Sequence, residues 1–236
     1  SHMSGHNLQV YAGMIASLDR SIGKIIEKLK DLNIYGKTMI IFTSDNGGAN
    51  YIELKDINKP FRGWKISFFE GGIRVPFIVS WPDKISPGLT SNSAVHHFDI
   101  FPTIVSATKT TTSNKKELDG VNLLPYIKKE NSDEPHETLF WRSGNHQSVL
   151  HKKWKYIVSK KENKSWLFDT SIDPLEKNNL IESHPKEAQK IEELLVQFNS
   201  EQKEPLFPSA FEAPIMIDKY DGQTYEEGDE YIYWSN

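Results

Sequence analysis

The sequence predicts an α/β domain followed by a small antiparallel sheet with a packed helix. A long amphipathic segment leads through a short loop into a continuously apolar run, which is the order of elements in an α/β sheet. Beyond residue 117 the apolar runs become short and are separated by glycine, asparagine and lysine, as in antiparallel sheets. With 236 residues, 37% of them hydrophobic, the chain is long and apolar enough to bury a core.

The first predicted element is an amphipathic helix from Val10 to Leu32. Its apolar residues recur at helical spacing, and charged residues occupy the opposite face. Residues 33–37 form a short connection into the apolar run Thr38–Thr43, which is rich in residues that favour strands. Such a run is typical of a parallel strand that is buried on both faces.

The α/β part continues with a second strand and a short helix. The strand is predicted over Val75–Trp81, after the turn at Gly71 and Gly72. Asp99 then has the position of an N-cap for a short helix that carries Ile100 and the apolar residues after it.

The C-terminal half predicts a small sheet and one helix. The predicted strands are Thr138–Trp141, Ser148–Leu150, Lys155–Val158 and Trp166–Phe168. A late helix follows, with Ser183 as its predicted N-cap and Pro185 in its first turn. Its apolar stripe is expected to pack on the small sheet.

These elements divide the chain into five parts. They are residues 1–3, read as an expression scar; 4–107, the α/β core; 108–117, a linker loop; 118–203, an antiparallel α+β subdomain; and 204–236, an acidic tail. The tail has eight acidic residues against the single Lys219, and the sequence leaves open whether it wraps the surface or is partly mobile.

Composition excludes several classes of partner and site. The net charge is −4 and no basic cluster is present, so nucleic acid is not an expected partner. No apolar stretch approaches the roughly 18 residues that span a bilayer, so no membrane contact is expected. The chain has no cysteine, which excludes disulfide bonds, thiolate zinc sites and a cysteine nucleophile within it.

The end of the first predicted strand is the first candidate site. In "IIFTSDNGG" the apolar run stops at Ser44, Asp45 and Asn46, and ligands gather beyond the carboxyl ends of strands in open α/β sheets. Asp45 and Asn46 offer oxygen ligands that suit Ca²⁺ or Mg²⁺. The alternative is a β-hairpin turned at Asn46 and Gly47, although residues 49–60 show no clean alternating partner strand.

Lys65 is the second candidate, within a segment rich in aromatic residues and glycine. Its ammonium could hold a sulfate or phosphate oxygen near a bound cation and stabilise charge on a leaving oxygen. The alternative is that Glu70 and Arg74 pair to hold the turn, with Lys65 solvated outside it.

Three other polar groups have residue types that could bind a ligand. His96 and His97 with Asp99 imitate a metal cluster, but neighbouring histidines point in different directions, so a helix-entry role is favoured. The segment from Asp169 imitates an EF-hand but has Pro174 where that motif needs glycine, so this reading fails. Arg142, Asn145 and His146 are predicted to lie on a loop after a strand and are candidates for substrate selection, against ordinary loop polarity.

Six ordered segments carry a resemblance to a known family. They are "YAGMIASLDRSIGKIIEKL", "GKTMIIFTSDNGG", "FRGWKISFFEGGIRVPFIVSWPDKI", "HHFDIFPTI", "LDGVNLLPYI" and "WLFDTSIDPLEKNNL". From about Leu8 to about Phe198 the chain resembles the C-terminal part of the type I, formylglycine-dependent sulfatases, of the arylsulfatase and N-acetylgalactosamine-6-sulfatase kind. The resemblance implies an alkaline-phosphatase-like sandwich core, of which residues 4–107 are the C-terminal portion, followed by the small antiparallel sheet with its packed helix.

The resemblance also implies roles for individual residues. Asp45 and Asn46 match the pair that ligates the active-site calcium, and Lys65 matches the catalytic lysine that contacts the substrate's sulfate. Glu70 and Arg74 match a turn whose role is mainly structural. The subdomain that carries Arg142 and His146 borders the pocket in this family, which makes them substrate-binding candidates. The implied substrates are sulfated carbohydrates or aryl sulfates.

The same family requires a nucleophile that this sequence lacks. Formylglycine is made from Cys or Ser within C/S-x-P/A-x-R, which does not occur here, and an upstream Asp pair completes the calcium site. The expectation is therefore a fragment that is inactive alone, with an exposed apolar edge that favours self-association. The resemblance implies a periplasmic or secreted protein. A metal-dependent phosphoesterase of the same superfamily and a non-catalytic binding module are the alternatives.

Overall fold

The computed structural model describes residues 5–111, 117–204, 206–207 and 212–235. The predicted expression scar, half of the linker loop and part of the acidic tail lie outside these residues. The helices and strands, in chain order, are α1 His6–Asp31, β1 Ile40–Thr43, α2 Glu70–Ile73, β2 Phe77–Ser80, α3 Ile100–Thr108, α4 Leu124–Ile127, β3 Thr138–Ser143, β4 His146–His151, β5 Trp154–Ser159, β6 Lys164–Asp169, α5 Pro185–Glu201, β7 Glu212–Met216 and β8 Tyr231–Ser235.

The chain divides into two compact units. The first comprises residues 1–20, 43–77 and 138–236, and the second comprises residues 21–42 and 78–137. The five-part division predicted above stays a prediction. No helix of the described residues is long and apolar enough to cross a bilayer.

The predicted N-terminal helix is confirmed as α1, although it begins four residues earlier. Its apolar stripe is largely exposed to solvent: Ile22, Ile26 and Leu29 are partly buried, none of its residues is fully buried, and Met14 and Ile25 are 66% and 59% exposed. An amphipathic helix gains most of its stability by packing its apolar face. In this chain that face is only partly covered by the described residues.

Strands β1 and β2 pair in a two-stranded sheet. Both predicted strands are confirmed, and β1 is two residues shorter than Thr38–Thr43. The expectation of burial on both faces is wrong, because all four residues of β1 are only partly buried. Two strands alone cannot cover each other's faces, which explains this partial exposure.

The second unit also contains the entry to α3. The His96 ring accepts a hydrogen bond from the Phe98 nitrogen at 3.4 Å, and Asp99 Oδ2 accepts one from the His96 nitrogen at 2.8 Å. The helix-entry role of these residues is therefore confirmed. Asp99 is the N-cap residue of α3 but makes no cap bond with its side chain, which instead also binds the Val121 nitrogen and His136 Nε2.

In the first unit, β3, β4, β5 and β6 form an antiparallel meander in that order. All four predicted strands are confirmed. Helix α5 packs on this sheet, as predicted, through Ile191 and Leu195 against Val149 and Leu167. Its N-cap is His184, one residue after the predicted Ser183, since Pro185 occupies the first helical position.

The acidic tail forms part of the fold of the first unit. Strands β7 and β8 pair antiparallel, and Ile215, Ile217 and Ile232 join a buried cluster with Phe69 and Trp166. The described part of the tail therefore wraps onto the core, which settles the alternative that the sequence left open for these residues.

Candidate functional site

Two segments of the first unit bring the predicted site residues together. The Gly47 nitrogen donates a hydrogen bond of 2.9 Å to the Gly72 carbonyl oxygen, and the Lys65 nitrogen donates one of 2.9 Å to the Gly48 oxygen. The loop that follows β1 thus lies against both Lys65 and the turn at α2. Because β1 pairs with β2, the alternative of a hairpin turned at Asn46 and Gly47 is wrong.

Glycine is required where these backbones meet. A Cβ atom at Gly47 would lie 1.7 Å from the Gly71 oxygen, far inside van der Waals contact. A Cβ at Gly71 would lie 2.4 Å from the Arg62 oxygen, and one at Gly72 would lie 2.1 Å from the Ser67 oxygen. The glycines therefore permit three stretches of main chain to pack without side chains between them.

The side chain of Asn58, which the sequence did not mark as a site residue, also holds this loop in place. Its Oδ1 accepts a hydrogen bond of 2.7 Å from the Gly48 nitrogen, and its Nδ2 donates to the oxygens of Gly48 and Gly63 at 2.9 and 3.0 Å. One amide side chain thus ties residue 48 to the start of the Lys65 segment. This triple contact depends on an approach between loops that leaves no periodic signal in the sequence.

The side chains of Asp45 and Asn46 are available to a ligand. Asp45 is exposed, and among the described residues its carboxylate has no hydrogen-bond or ion-pair partner. Asn46 is half-buried, and its Nδ2 donates to the Gly47 oxygen at 2.8 Å, which leaves the carbonyl oxygen Oδ1 for a cation. Ser44 is engaged, because its hydroxyl donates to the Asn46 oxygen at 2.9 Å.

These two oxygen donors fit part of a calcium site. Ca²⁺ takes six to eight oxygen ligands, and an unpaired carboxylate beside a free amide oxygen is the type of donor that it prefers. Within the described ranges, no three His, Cys, Asp or Glu side chains are grouped so that they could hold a metal. Asp45 and Asn46 therefore amount to an incomplete ligand set.

Lys65 is half-buried, and its ammonium has no ion-pair partner in the part of the chain that the structure describes. The following residue, Ile66, has a φ of 86°, an unusual value for a β-branched side chain. This backbone lies between the Gly48 contact and the aromatic core at Phe69. An ammonium held on such a segment can bind an anionic oxygen.

The turn at α2 is fixed by a network of buried charges. Lys155 Nζ donates a hydrogen bond of 2.6 Å to Glu70 Oε1 and lies 2.7 Å from Glu176 Oε1. Glu176 Oε2 accepts a hydrogen bond of 2.7 Å from the Glu70 nitrogen. The expected pair of Glu70 and Arg74 is present at 3.3 Å, on the exposed side of the turn.

Burial and neighbouring charges act on this network in opposite directions. Burial opposes the charged form of Lys155, but the carboxylates of Glu176 and Glu70 outweigh it and raise the pKa of the ammonium. Burial also opposes the charged form of Glu70, but Lys155 and Arg74 together lower the pKa of that carboxyl. At Glu176 burial prevails, and the pKa of its carboxyl is raised.

Arg62 extends the network to the acidic tail. Its guanidinium makes a bidentate contact with Asp218 at 2.8 and 2.6 Å and a further contact with Glu230 at 2.8 Å. Its Nη1 also donates to the main-chain carbonyl oxygen of Glu176 at 2.9 Å. Since all of these donors are used within the fold, Arg62 serves to hold the tail against the segment that carries Lys65.

The predicted substrate-binding residues of the small sheet occupy different positions from those expected. Arg142 belongs to β3 and His146 to β4, so Asn145 is the only one of the three candidates in the turn between these strands, and the expectation of a common loop is wrong. The two strands are joined by a two-residue turn in which Gly144 has a φ of 53°. So short a turn leaves Ser143 and His146, the residues on either side of it, paired in the β-sheet.

Contacts of Arg142 and His146 are internal to the unit. Arg142 donates to Asn199 Oδ1 at 3.2 Å and to the Lys203 oxygen at 2.8 Å, near the end of α5. His146 is 2% exposed and stacks on Phe68 with ring centres 4.7 Å apart. Burial lowers the pKa of His146 to about 3. Their role in substrate binding stays a prediction.

Comparisons with known proteins identify the family to which this chain is similar. A family model described as Sulfatase matches residues 2–110, and one described as N-sulphoglucosamine sulphohydrolase, C-terminal, matches residues 63–204. The chain is 38% identical over 119 residues to the N-acetylgalactosamine-6-sulfatase of Homo sapiens, which covers 50% of this chain and 23% of that protein. It is 29% identical over 208 residues to a sulfatase of Formosa agariphila, covering 77% of this chain and 37% of that one.

The fold is also similar to that of solved structures. A crystal structure of Ps i-CgsB is 27% identical to this chain and superposes with a TM-score of 0.77, covering 87% of this chain and 46% of the other. The predicted alkaline-phosphatase-like fold is thereby confirmed. The chain spans less than half the length of the curated relatives that it matches. Because the second family model covers more than half of the chain, this protein belongs to the sulfatase family, and its residues correspond to the family's C-terminal region.

Proposed function

We propose that this chain supplies part of the active site of a calcium-dependent sulfatase. In this proposal Asp45 and Asn46 give two oxygen ligands to Ca²⁺, and Lys65 contacts the sulfate of the substrate. The remaining ligands and the formylglycine nucleophile would come from a part of the polypeptide outside this chain. This chain alone is then inactive towards sulfate esters.

The contact between Lys65 and the loop after β1 carries the proposal. The main-chain nitrogen of Lys65 donates a 2.9 Å hydrogen bond to the carbonyl oxygen of Gly48, which is two residues after Asn46. This bond holds the Lys65 segment against the loop that carries Asp45 and Asn46. Asp45 and Lys65 are both without partners among the described residues, although many charged groups of the first unit are paired. Unpaired groups of opposite charge on neighbouring rigid segments are typical of a site that binds both a cation and an anion.

Calcium, when bound, would stabilise negative charge on an ester oxygen as a Lewis acid. The residues of this chain would hold and orient the reacting group. Lys65 would donate to a sulfate oxygen and offset the charge that develops as the ester bond breaks. The loop would keep its shape through Gly47 and Asn58, so that the ligands need little rearrangement.

The names of the relatives support a sulfated sugar as the first substrate class to test. One relative is named N-acetylgalactosamine-6-sulfatase, and Ps i-CgsB has a crystal structure in complex with k-i-k-neocarrahexaose. Aryl sulfates form the second class and are convenient probes. By the same family resemblance, we propose a periplasmic or secreted location.

The test is the hydrolysis of sulfate esters by the protein encoded by the whole gene, with this chain alone as a comparison. We expect hydrolysis that requires Ca²⁺, falls at least a hundredfold in Asp45→Asn and is absent from this chain alone. The matched control is Asp31→Asn, which removes the same charge from an exposed position at the end of α1. That variant should keep full activity.

Two outcomes would contradict the proposal. Activation by Zn²⁺ or Mn²⁺ with a preference for phosphate monoesters would indicate a phosphoesterase of the same superfamily. Absence of hydrolysis by the whole gene product, with full sulfate and calcium binding, would indicate a non-catalytic binding module.

A further inference from the structure

We propose that Lys155 and Glu176 are positioning residues that fix the turn at α2 and, through it, the loop that carries Asp45 and Asn46. This inference rests on the proposed function in one respect, since it explains how that candidate site keeps its shape. The contacts themselves do not depend on that function. Neither residue is assigned a role by the family resemblance described above.

Lys155 is a buried residue of β5. Its side chain is only 1% exposed, and its ammonium lies within 2.7 Å of two carboxylates, those of Glu70 and Glu176. A buried ammonium requires such compensation, because an unpaired charge in the protein interior is strongly unfavourable. The small sheet therefore presents a fixed positive charge to the turn at α2.

Glu176 holds the start of that turn by a hydrogen bond. Its Oε2 accepts the hydrogen bond from the Glu70 nitrogen, which is the first N–H of α2 and has no partner within so short a helix. Its own carbonyl oxygen accepts from Arg62 Nη1 at 2.9 Å. Glu176 is fully buried and has a φ of 56°, so both contacts come from a tightly constrained position.

The same turn also contacts the loop of the candidate site. The Gly71 nitrogen donates to the Arg62 oxygen at 2.6 Å, and the Gly72 oxygen accepts from the Gly47 nitrogen at 2.9 Å. Gly47 directly follows Asn46. The turn at α2 is thus held on one side by Lys155 and Glu176 and on the other side carries the loop of the candidate site.

The network also gives a structural role to the segment of residues 173–180. "DPLEKNNL", residues 173–180, places Glu176 at the buried position, and Asp173 accepts hydrogen bonds from the nitrogens of Lys177 and Asn178 at 3.1 and 2.8 Å. Asn179 Oδ1 accepts from the Leu167 nitrogen at 3.0 Å. The segment is therefore locked onto β6, and its one buried carboxylate faces the turn.

The test is amide hydrogen exchange at Gly47, measured by NMR on this chain without added metal. We expect exchange at least tenfold faster in Glu176→Gln and in Lys155→Met than in the wild-type chain, because the turn that accepts the Gly47 hydrogen bond is loosened. Glu176→Gln keeps the shape of the side chain, so it serves if Lys155→Met fails to fold.

Two controls separate positioning from general loss of stability. Lys153→Met removes an ion pair with Asp169 at 2.7 Å beside the same strand, and Ile191→Val weakens the core under α5 without touching the network. Both should leave exchange at Gly47 within about twofold of wild type after correction for global unfolding. Equal acceleration in Ile191→Val and Glu176→Gln, or unchanged exchange in Glu176→Gln, would overturn the inference.

A calcium titration of the same variants keeps the two proposals apart. If the positioning inference and the proposed function both hold, Glu176→Gln weakens calcium binding at Asp45 at least threefold, and Ile191→Val does not. Faster exchange at Gly47 without any calcium binding in the wild-type chain would support the positioning inference and contradict the calcium site in this chain.

Discussion

The main-chain nitrogen of Lys65 donates a 2.9 Å hydrogen bond to the carbonyl oxygen of Gly48. This bond joins a segment whose lysine has no partner among the described residues to a loop whose carboxylate has none there either. Ion-binding sites in proteins depend on such fixed main-chain geometry, because flexible protein groups lose conformational entropy when they bind an ion.

Replacing Gly47 by alanine should destabilise the first unit. The new Cβ would lie 1.7 Å from the Gly71 oxygen, so the loop must move away from the turn at α2. We expect the free energy of unfolding to fall by about 1–3 kcal/mol, as for other overpacked sites. Denaturant melts with circular dichroism measure this change.

A matched glycine substitution should have the opposite sign. Gly23 lies within α1, where a Cβ would meet nothing within 4 Å, so Gly23→Ala should stabilise the chain by about 0.5–1 kcal/mol. A Gly47→Ala variant as stable as the wild-type chain would contradict the close packing described here.

Lys65→Met should weaken the binding of sulfate without unfolding the chain. The side chain makes no ion pair in the described structure, so its loss leaves no buried charge behind. In the presence of Ca²⁺ we expect the dissociation constant for inorganic sulfate, measured by NMR titration, to rise about threefold to tenfold.

The control for this prediction is Lys24→Met, which removes an exposed lysine from α1. It should leave sulfate binding unchanged. Equal losses in the two variants would show that Lys65 acts only through the overall charge of the protein.

His146 should make stability depend on pH in the acid range. Burial lowers the pKa of its imidazole from 6.5 to about 3, so the folded state favours the neutral ring. Its contribution to stability is therefore present above the unfolded-state pKa of 6.5 and is lost as the pH falls from 6.5 towards 3. The slope from this one group reaches about 1.4 kcal/mol per pH unit.

His146→Phe keeps an aromatic ring beside Phe68 but removes the titrating group. We expect the free energy of unfolding of this variant to depend less steeply on pH between about pH 6 and pH 4, while other acid-sensitive groups affect both proteins alike. Parallel curves for the two proteins would show that His146 is protonated in the folded state or exposed to solvent.

Local patterns predicted most of the secondary structure. The strands of the small sheet and α5 carry strong periodicity, and the structure extends these strands by only a few residues on either side. Burial was harder to predict, because β1 has the apolar composition of a covered strand and is yet partly exposed. Composition records what a strand can bury, while its neighbours decide what is buried.

The candidate site could be predicted only in part. Asp45, Asn46 and Lys65 carry recognisable chemistry and belong to segments of the family motif. Lys155 lies outside these segments, and Glu176 lies within one without showing its role, because their contacts with Glu70 join residues 85 and 106 positions away in sequence. A lysine in a strand and a glutamate in a turn give no sign of burial until the fold brings them together.

The most direct test of the calcium site is an NMR titration of the isotope-labelled wild-type chain with CaCl₂. Two protein oxygens support only weak binding, with a dissociation constant on the order of 1 mM. We predict shifts concentrated at the amides of Asp45, Asn46 and Gly47, and their loss in Asp45→Asn. Shifts confined to the acidic residues 218–230, with none at Asp45, would contradict the account.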